Sequence, residues 1–473
     1  MGDSGGPGWE GLRAPFGGRE ANRLRWRQIL TGLFTPEYGR RPVPWSVRAV
    51  RAPAGRGDSI VKILIITWYF PPQNEVASGR PYSWATHFVR SGHSVTVLTP
   101  QKDPSVHGPL TMPFESMPGL RIIETPLRLR RTPVGKAISW AVGSVGKVIE
   151  LAREHDVVIT SYPHGHIPSL GRVAKISNPS LFWCADYRDL WHDNYFFTEG
   201  KPIRRAVLRV VEKLLMSPSR LTVTVSEPLA VKLRNTFPRI PSAVIYNGFP
   251  EQDYRESVAA SRIRERHLAG APFRILYTGT IYIGYQDPEP LFAALARGGW
   301  QRPVRLSFFG QCTSDPLLHR LRQKYALQEV VELSETRLDR IASVGAQREA
   351  DLLFHMGWTD RKNDGWLSGK VFEYMASGVP TLSVGADPDS ALGGLLTDTG
   401  TGVCIRNDVD RIFRDLDEMI NHGRVCDWYR PVPARIRQFS REAQASAILE
   451  LLLAALAKPA RGRSESKPMV PGL

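Results

Sequence analysis

The sequence predicts an α/β protein made of two doubly wound parallel-sheet domains that face each other across a cleft. Two observations carry this prediction: apolar runs of strand length alternate with helical segments, and this alternation begins again at Phe273. Apolar runs without polar alternation are typical of strands covered on both faces, as in a parallel sheet wrapped by helices. Ligands of such sheets bind at the carboxyl ends of the strands, which here would meet in the cleft.

The first series begins with the strand Lys62–Thr67, followed by a turn-rich segment and a helix from about Ser78 to Arg90. Its further strands are predicted near 95–99, 121–125, 156–160, 180–185 and 220–225, and its helices near 134–153, 166–177, 201–216 and 227–236. The second series has strands near 273–277, 304–309, 330–333, 351–354, 380–384 and 402–405, with helices near 288–297, 315–325, 337–345, 369–377 and 408–421.

Composition limits the class of protein. A chain of 473 residues, 42% of them apolar, has enough material for two or three domains. The four cysteines are far apart without CxxC spacing, which excludes a disulfide scaffold and is typical of a reducing cytosol. The chain has no apolar run of about 18 residues and no apolar signal-peptide core at its start, so we expect a cytoplasmic protein.

The formal net charge of +16 is unevenly distributed, and about half of it lies in residues 1–61 and 458–473. The basic remainder suits anionic ligands such as nucleotide diphosphates, phospholipid surfaces or nucleic acid. Residues 1–60 have no helical or strand period, which indicates a disordered extension or sequence added upstream of a true start near Val61. The predicted boundaries are an extension at 1–60, domains at 61–248 and 249–440, a helix at 441–457 that returns to the first domain, and a basic tail at 458–473.

The segment Asp364–Leu382 is the most informative part of the chain. A helix is predicted to start near Ser368 and Gly369, and its open amides form an anion site to which Lys370 adds a full charge. A Lys–phosphate contact at about 4 Å amounts to roughly 4 kcal/mol at an effective dielectric of 20, against about 0.3–2 kcal/mol for the helix terminus. Lys370 would dominate such a site. The alternative is an amphipathic helix with a solvated Lys370 and Glu373.

This segment resembles the donor-site signature of retaining GT-B glycosyltransferases of family 4, in the variant (S/T)-G-K-x-F-E-Y-(L/M)-A. Other segments are similar to that family in the same order: Lys62–Pro72, Ser91–Thr99, Trp183–Trp191, Val223–Ser226, Ile245–Gly248 and Tyr277–Gly279. The resemblance spans residues 61 to about 456. It implies two Rossmann-like domains, the first binding the acceptor and the second the nucleotide-sugar donor.

The resemblance also implies roles for particular residues. Lys370 with Ser368 and Gly369 would hold the donor diphosphate, and Glu373 its ribose. Two family features are missing. Many members have a glutamate eight residues before the second one, where this chain has Gly365, and many have an Arg and a Lys in the segment 280–284, which here reads Thr-Ile-Tyr-Ile-Gly. Diphosphate binding would then depend more on Lys370 and on a residue that the sequence does not identify.

Several first-domain residues follow predicted strands and would face the cleft. Gly79 could let the backbone approach the donor and Arg80 could contact anionic groups, although a plain helix start explains both. His164 or His166 could bond a sugar hydroxyl. The full candidate set is Lys370, His164, His166 and Asp186 as catalytic, Gly79, Gly279, Ser368, Gly369, Lys370 and Glu373 as donor-binding, and Arg80, Arg188 and Asp189 as acceptor-binding.

Three further patterns have two interpretations each. Asp186, Arg188 and Asp189 could orient an acceptor or brace their loop as an ion-pair network. The helix Ile203–Met216 has a basic face and an apolar face, so it either packs on the sheet or touches anionic lipid, together with arginines 128, 130 and 131. Asp387-Pro-Asp389 is similar to a metal-binding DxD motif, but the expected fold does not need it, so we expect no metal or other cofactor.

We therefore expect a retaining glycosyltransferase that uses a nucleotide-sugar donor in the synthesis of a cell-envelope polysaccharide or glycolipid. The protein could also bind peripherally to the inner face of the membrane. A sugar-nucleotide epimerase of the same architecture is the alternative enzyme, and a non-catalytic assembly subunit is the alternative from another class. Nucleic-acid binding is not expected, because most aromatic residues fall inside the βα pattern rather than on exposed platforms.

Overall fold

A computed structural model describes residues 59–127, 132–161, 165–194, 198, 200–310, 316–334, 336 and 338–457. Thirteen described strands form two parallel sheets, with the orders β3-β2-β1-β4-β5-β6-β7 and β10-β9-β8-β11-β12-β13. The predicted fold class, two parallel-sheet α/β domains, is confirmed. In both sheets the order reverses direction beside the first strand, and this is where open α/β sheets bind ligands.

The first sheet consists of β1 (Lys62–Thr67), β2 (Ser94–Pro100), β3 (Leu120–Thr125), β4 (Val157–Ser161), β5 (Phe182–Tyr187), β6 (Leu221–Thr224) and β7 (Ser242–Val244). Its helices are α1 (Val76–Arg90), α2 (Pro104–His107), α3 (Pro133–Glu154), α4 (His166–Ser177), α5 (Pro202–Met216) and α6 (Glu227–Thr236). Strand β4 is buried along its whole length and β1 from its second residue onward, as expected for strands covered by helices on both faces.

The second sheet consists of β8 (Phe273–Thr278), β9 (Val304–Phe309), β10 (Val331–Ser334), β11 (Leu352–Met356), β12 (Thr381–Val384) and β13 (Gly402–Ile405). The helices from residue 249 onward are α7 (Ala259–Leu268), α8 (Glu289–Ala296), α9 (Pro316–Lys324), α10 (Arg340–Glu349), α11 (Gly369–Ser377), α12 (Ala391–Thr399), α13 (Val409–Ile420), α14 (Pro433–Arg437) and α15 (Arg441–Leu456). Strand β7 and helices α2, α7, α12 and α14 are additions to the elements predicted from sequence.

Helix α15 returns to the first sheet and packs against α1. Its buried residues Ala445, Ile448 and Leu449 belong to the same apolar core as β1, β2 and β4. The helix begins where Ser440 forms a β-bridge with Phe249 and accepts a 3.1 Å hydrogen bond from the Ala443 amide. Residues at the start of α15 therefore lie where the chain passes from one domain to the other.

Helix α5 departs from the expected packing. Five of its large apolar residues are 40% to 79% exposed, so the face that they form is not covered by the sheet: Ile203, Val207, Val210, Val211 and Leu214. The interpretation of α5 as a helix packed on the sheet by that face is therefore wrong. Among the described helices, none combines the length and apolarity that a membrane crossing requires.

Candidate functional site

The site centres on the first turn of α11, where Lys370 lies against Gly279 at the end of β8. A β-carbon at Gly279 would overlap Cε and Nζ of Lys370 and would lie 3.2 Å from its Cδ. Gly279 also has a φ of 137°, a conformation that side chains other than glycine rarely adopt. The structure thus brings together two predicted donor-binding residues that are 91 positions apart, and only glycine permits their close approach.

A buried histidine that sequence reasoning missed lies behind Ser368. His355, near the end of β11, is 3.0 Å from Ser383 Oγ through Nδ1 and 3.3 Å from Ser368 Oγ through Nε2. Burial, together with the positive charge of Lys370, lowers the pKa of His355 to about 3. A neutral imidazole here orients Ser368 beside Lys370 without adding a competing charge.

Gly365 occupies the position where many family members have a glutamate, and the structure shows why this chain does not. Its φ is 94°, and a β-carbon would lie 2.7 Å from Ser226 Oγ and 2.9 Å from Pro228 Cβ of the first domain. A glutamate side chain does not fit into this contact. The missing first glutamate is therefore replaced by a close approach between the two domains.

Helix α1 of the first domain faces the start of α11. A β-carbon at Gly369 would lie 3.1 Å from Val76 Cγ1. One turn further along α1, the open face of Gly79 is covered by the guanidinium of Arg441, whose Nη1, Cζ and Nη2 would lie 2.6, 2.7 and 3.0 Å from a β-carbon there. Gly79 was predicted to admit the donor, and here its nearest neighbour is an arginine from the start of α15.

Arg80 and Asp186 form a buried ion pair. Arg80 donates from Nε and Nη2 to the two carboxylate oxygens at 3.0 and 2.8 Å, and from Nη1 to the carbonyls of Ile245 and Tyr246, both at 2.8 Å. Ser161 donates to Asp186 at 2.7 Å. Both side chains are almost fully buried. Because the hydrogen-bonding groups of the two side chains are already paired within the protein, the pair is better explained as bracing the loop than as contacting a ligand.

Two of the remaining first-domain candidates, Arg188 and Asp189, interact with the charge of Asp186. Arg188 donates from Nη1 to the Ala77 carbonyl at 3.0 Å, and burial lowers its pKa while the charge of Asp186 opposes that shift. Burial raises the pKa of Asp189, with Arg188 opposing. His166 begins α4 and packs edge-on to Trp68 at 5.6 Å between ring centroids. His164, like the arginines at 128, 130 and 131, lies outside the described residues.

The acidic pair Asp387 and Asp389 is bound to arginines. Arg361 contacts both carboxylates, reaching Asp389 Oδ1 at 2.8 Å, and Arg406 donates to Asp387 Oδ2 at 3.0 Å. Within the part of the chain that the structure describes, no group of three or more His, Cys, Asp or Glu residues could hold a metal ion.

Two residues of this site could not be assigned from the sequence. His355 lies within an apolar strand, and Arg441 lies 71 positions after Lys370. The only available signals were that His355 ends a predicted strand and that Arg441 starts the helix expected to return to the first domain.

Comparisons with known proteins agree with this architecture. Residues 79–248 match the family described as a glycosyl transferase 4-like domain. Sucrose-phosphate synthase from Thermosynechococcus elongatus aligns with a TM-score of 0.61 at 17% identity, covering 84% of this chain and 99% of that chain. HepE from Anabaena, solved with UDP and glucose, aligns with a TM-score of 0.56 at 15% identity, covering 83% and 100%.

A protein described as a UDP-N-acetylglucosamine 2-epimerase from Listeria monocytogenes aligns with a TM-score of 0.51 at 13% identity, covering 84% of this chain and 97% of that chain. No curated protein matches the sequence significantly. At these identities the structural likeness shows the fold, and it is the fold predicted from sequence.

Proposed function

We propose that this GT-B glycosyltransferase, identified by its fold and by the glycosyl transferase 4-like domain at residues 79–248, transfers a sugar from a nucleotide-diphosphate donor to an acceptor hydroxyl with retention of configuration. The observation that carries the proposal is the position of Lys370, which lies at the open end of α11 against Gly279. A cation at the amino-terminal end of a helix suits a diphosphate.

The chemistry follows from the charge that develops during transfer. As the bond between the anomeric carbon and the diphosphate oxygen breaks, the leaving group takes the electron pair and gains negative charge. Fixed positive groups aimed at that oxygen stabilise the transition state without reorganising. The acceptor oxygen bonds to the same face of the anomeric carbon, and its proton passes to the departing phosphate. Lys370 supplies the charge that a metal ion would otherwise provide, so we propose metal-independent transfer.

A uridine nucleotide is the first donor to test. HepE, whose structures contain UDP, glucose and UDP-glucose, shares this fold across 83% of the present chain. The neutral His355 contacts Ser368 Oγ, and Ser368 and Lys370 together would bind the diphosphate. Glu373, one turn into α11, would accept hydrogen bonds from the ribose.

The test is a thermal-shift screen of the purified protein with UDP-, GDP-, ADP- and TDP-sugars. A ligand that binds only the native state raises apparent stability by RT ln(1 + [L]/Kd), which is about 2.7 kcal/mol at a hundredfold excess over Kd. One base should stand out, and its donor should release nucleoside diphosphate once an acceptor is added, with EDTA having no effect. An absence of any shift with all four donors would refute the proposal.

The alternative is epimerisation of a sugar nucleotide, which the similarity to the Listeria protein supports. The two reactions differ in their products. An epimerase converts the sugar nucleotide into its isomer without releasing nucleotide and without an acceptor. Proton NMR of the donor incubated alone distinguishes them, because a new sugar nucleotide would appear for an epimerase and none for a transferase.

We further propose that the acceptor is lipid-linked and that the protein reaches it by docking α5 and α3 on an anionic membrane. The exposed apolar residues of α5 follow a helical stripe, and three more on α3 are 53% to 68% exposed: Val134, Ile138 and Val142. Helix α4 contacts both α3 and α5, so the three helices form one layer.

The charge beside this stripe selects the partner. Arg204, Arg209 and Lys213 are exposed along α5. The one acidic residue of the helix, Glu212, is buried and accepts hydrogen bonds from the amide and Nδ1 of His192 at 3.0 and 2.7 Å. Apolar side chains flanked by cations suit a bilayer surface with negative headgroups, since each basic residue near such a surface contributes about 1 kcal/mol.

Vesicle sedimentation tests the docking. The wild type should sediment with vesicles of phosphatidylglycerol and phosphatidylethanolamine, and the double variant Val207→Ser/Leu214→Ser should remain in the supernatant. The matched control is Ile341→Ser, which removes an exposed isoleucine from the second domain. If the wild type is a dimer in solution and the double variant is a monomer, membrane docking is refuted and the stripe is assigned to contact with a second copy of the chain.

A further inference from the structure

Arg441 lies in the groove between α1 and the first turn of α11, and its guanidinium has no ion pair or hydrogen bond to a described residue. Its Nε is buried and has no hydrogen-bond acceptor. Among the described residues, no carboxylate oxygen lies within 4.0 Å of the guanidinium, and none accepts a hydrogen bond from it. The whole side chain is only partly exposed. A desolvated cation without compensation destabilises a fold, so proteins retain such groups mainly where they have a function.

The position of the guanidinium is defined by Gly79. The group lies flat against α1, at 2.6 to 3.0 Å from where a β-carbon would be, so any other residue at position 79 would displace it. Arg80, the next residue, is held by four hydrogen bonds to Asp186 and the carbonyls at 245 and 246. The backbone beneath Arg441 is therefore firmly held.

The same turn of α1 connects Arg441 to the donor site. Val76, which contacts Gly369 at the start of α11, precedes Gly79 by three residues, or about 4.5 Å along a helix axis. Burial lowers the pKa of Arg441. Among the neighbouring charges, that of Glu373, one turn into α11, opposes this shift most strongly. The guanidinium and the first turn of α11 thus face each other across the groove.

We propose that Arg441 is the second cation of the donor site and binds the diphosphate of the nucleotide sugar from the first-domain side, opposite Lys370. The proposal rests on the proposed glycosyltransferase function. A guanidinium suits this role because its planar fork can donate two parallel hydrogen bonds to phosphate oxygens. It also accounts for the segment 280–284, where the basic pair common in similar enzymes is missing.

The pairing explains how one ligand would hold both domains. Lys370 belongs to the second domain, and Arg441 is fixed to the first through the packing of α15 on α1. A diphosphate between them is bound from both sides, and after transfer its release removes the anion that the two cations share. Arg441 is thus a binding residue for the donor and a stabilising residue for the developing charge on the leaving group.

The experiment compares nucleotide affinity of the wild type, Arg441→Gln, Arg441→Lys and the control Arg437→Gln by isothermal titration calorimetry. Arg437 lies four residues earlier, is 54% exposed and approaches Glu251 outside the groove, so the control removes the same charge. The probes are UDP, GDP, ADP and TDP and the corresponding monophosphates. For the diphosphate that the wild type binds, Arg441→Gln should weaken binding about 10- to 100-fold and Arg441→Lys less.

The outcomes separate this proposal from the proposed function. If the wild type binds none of the four diphosphates, both fail. If it binds one and Arg441→Gln binds it equally tightly, only the role of Arg441 fails. A second readout is the unfolding temperature without nucleotide, which should stay equal or rise in Arg441→Gln because an uncompensated charge is removed. A fall in that temperature with unchanged nucleotide affinity would instead assign Arg441 to a purely structural contact between the domains.

Discussion

Two adjacent parts of the groove contain arginines in opposite states of pairing. Arg80 makes four hydrogen bonds, two of them to a carboxylate that also accepts from Ser161. The guanidinium of Arg441, which covers the glycine next to Arg80, makes none to a described residue. Proximity to the groove therefore does not identify a ligand-binding residue. The pairing state separates a cation that stabilises the fold from one that is left for a ligand.

The comparison extends to the acidic residues. Asp186 is satisfied and buried, whereas Glu373 is partly exposed and has no ion pair within 4.0 Å among the described residues. The Arg80–Asp186 pair therefore supports the fold of the first domain, and we propose that Lys370, Arg441 and Glu373 bind the donor. Substitutions on the two sides should affect different measurements.

The largest expected effect is on the stability of the first domain. Asp186→Ala leaves the Arg80 guanidinium buried without its carboxylate, and breaking a buried pair in this way typically costs about 3–5 kcal/mol. Urea unfolding followed by circular dichroism should show this loss. The matched control is Asp389→Ala, which also removes a carboxylate bound to an arginine but at a surface where both side chains are mostly exposed.

The control should lose far less stability than Asp186→Ala. If Asp186→Ala is as stable as the wild type and has lost only activity, the bracing interpretation is wrong and Asp186 acts on a ligand.

The second prediction concerns Lys370, on the second-domain side of the groove. Lys370→Ala should lower kcat/KM about 10²- to 10³-fold, the range seen when one fixed group that stabilises transition-state charge is removed, with little change in unfolding temperature. Steady-state release of nucleoside diphosphate measures the first and differential scanning fluorimetry the second. Lys362→Ala, at an exposed lysine beside Asp360, serves as the control and should retain full activity. Equal activity of the two variants would remove Lys370 from the site.

The sequence predicted the fold correctly, and it grouped the residues on one side of the candidate site. Ser368, Gly369 and Lys370 are consecutive in the sequence. Their proximity therefore follows from the chain itself and needs no knowledge of the tertiary structure. The contact between Gly279 and Lys370 joins strand β8 to helix α11 and depends on how the two pack. The sequence grouped both with the donor but could not show that one covers the other.

Arg441, His355 and the α5 stripe show why the rest could not be predicted. The arginine belongs to a helix whose apolar residues pack on the first domain, and its meeting with Gly79 depends on that docking. His355 lies in a strand of otherwise apolar residues, where a structural role is the ordinary expectation. An amphipathic helix has the same pattern whether its apolar face is covered or exposed. Only coordinates distinguish these cases.

The smallest expected effect concerns the histidine behind the donor site. With a pKa of about 3 in the folded state and 6.5 as the ordinary value, His355 binds a proton in the unfolded chain at pH values where the folded chain does not. Stability therefore falls as pH decreases below 6.5, by about 1.4 kcal/mol per pH unit from this group, or about 2 kcal/mol at pH 5. His355→Gln cannot bind that proton, so its stability should fall less between pH 7 and pH 5.

Urea unfolding at both pH values measures the difference, and the first domain supplies the control. Burial, with the charge of Lys102, lowers the pKa of His107 to about 4. The stability of His107→Gln should therefore also fall less than that of the wild type between pH 7 and pH 5. The two variants should differ in nucleotide binding, because His355 contacts Ser368 and His107 lies in the other domain. If the stabilities of the wild type and His355→Gln have the same pH dependence, the pKa of His355 is not lowered by folding. His355 could not then be the neutral group that supports Ser368.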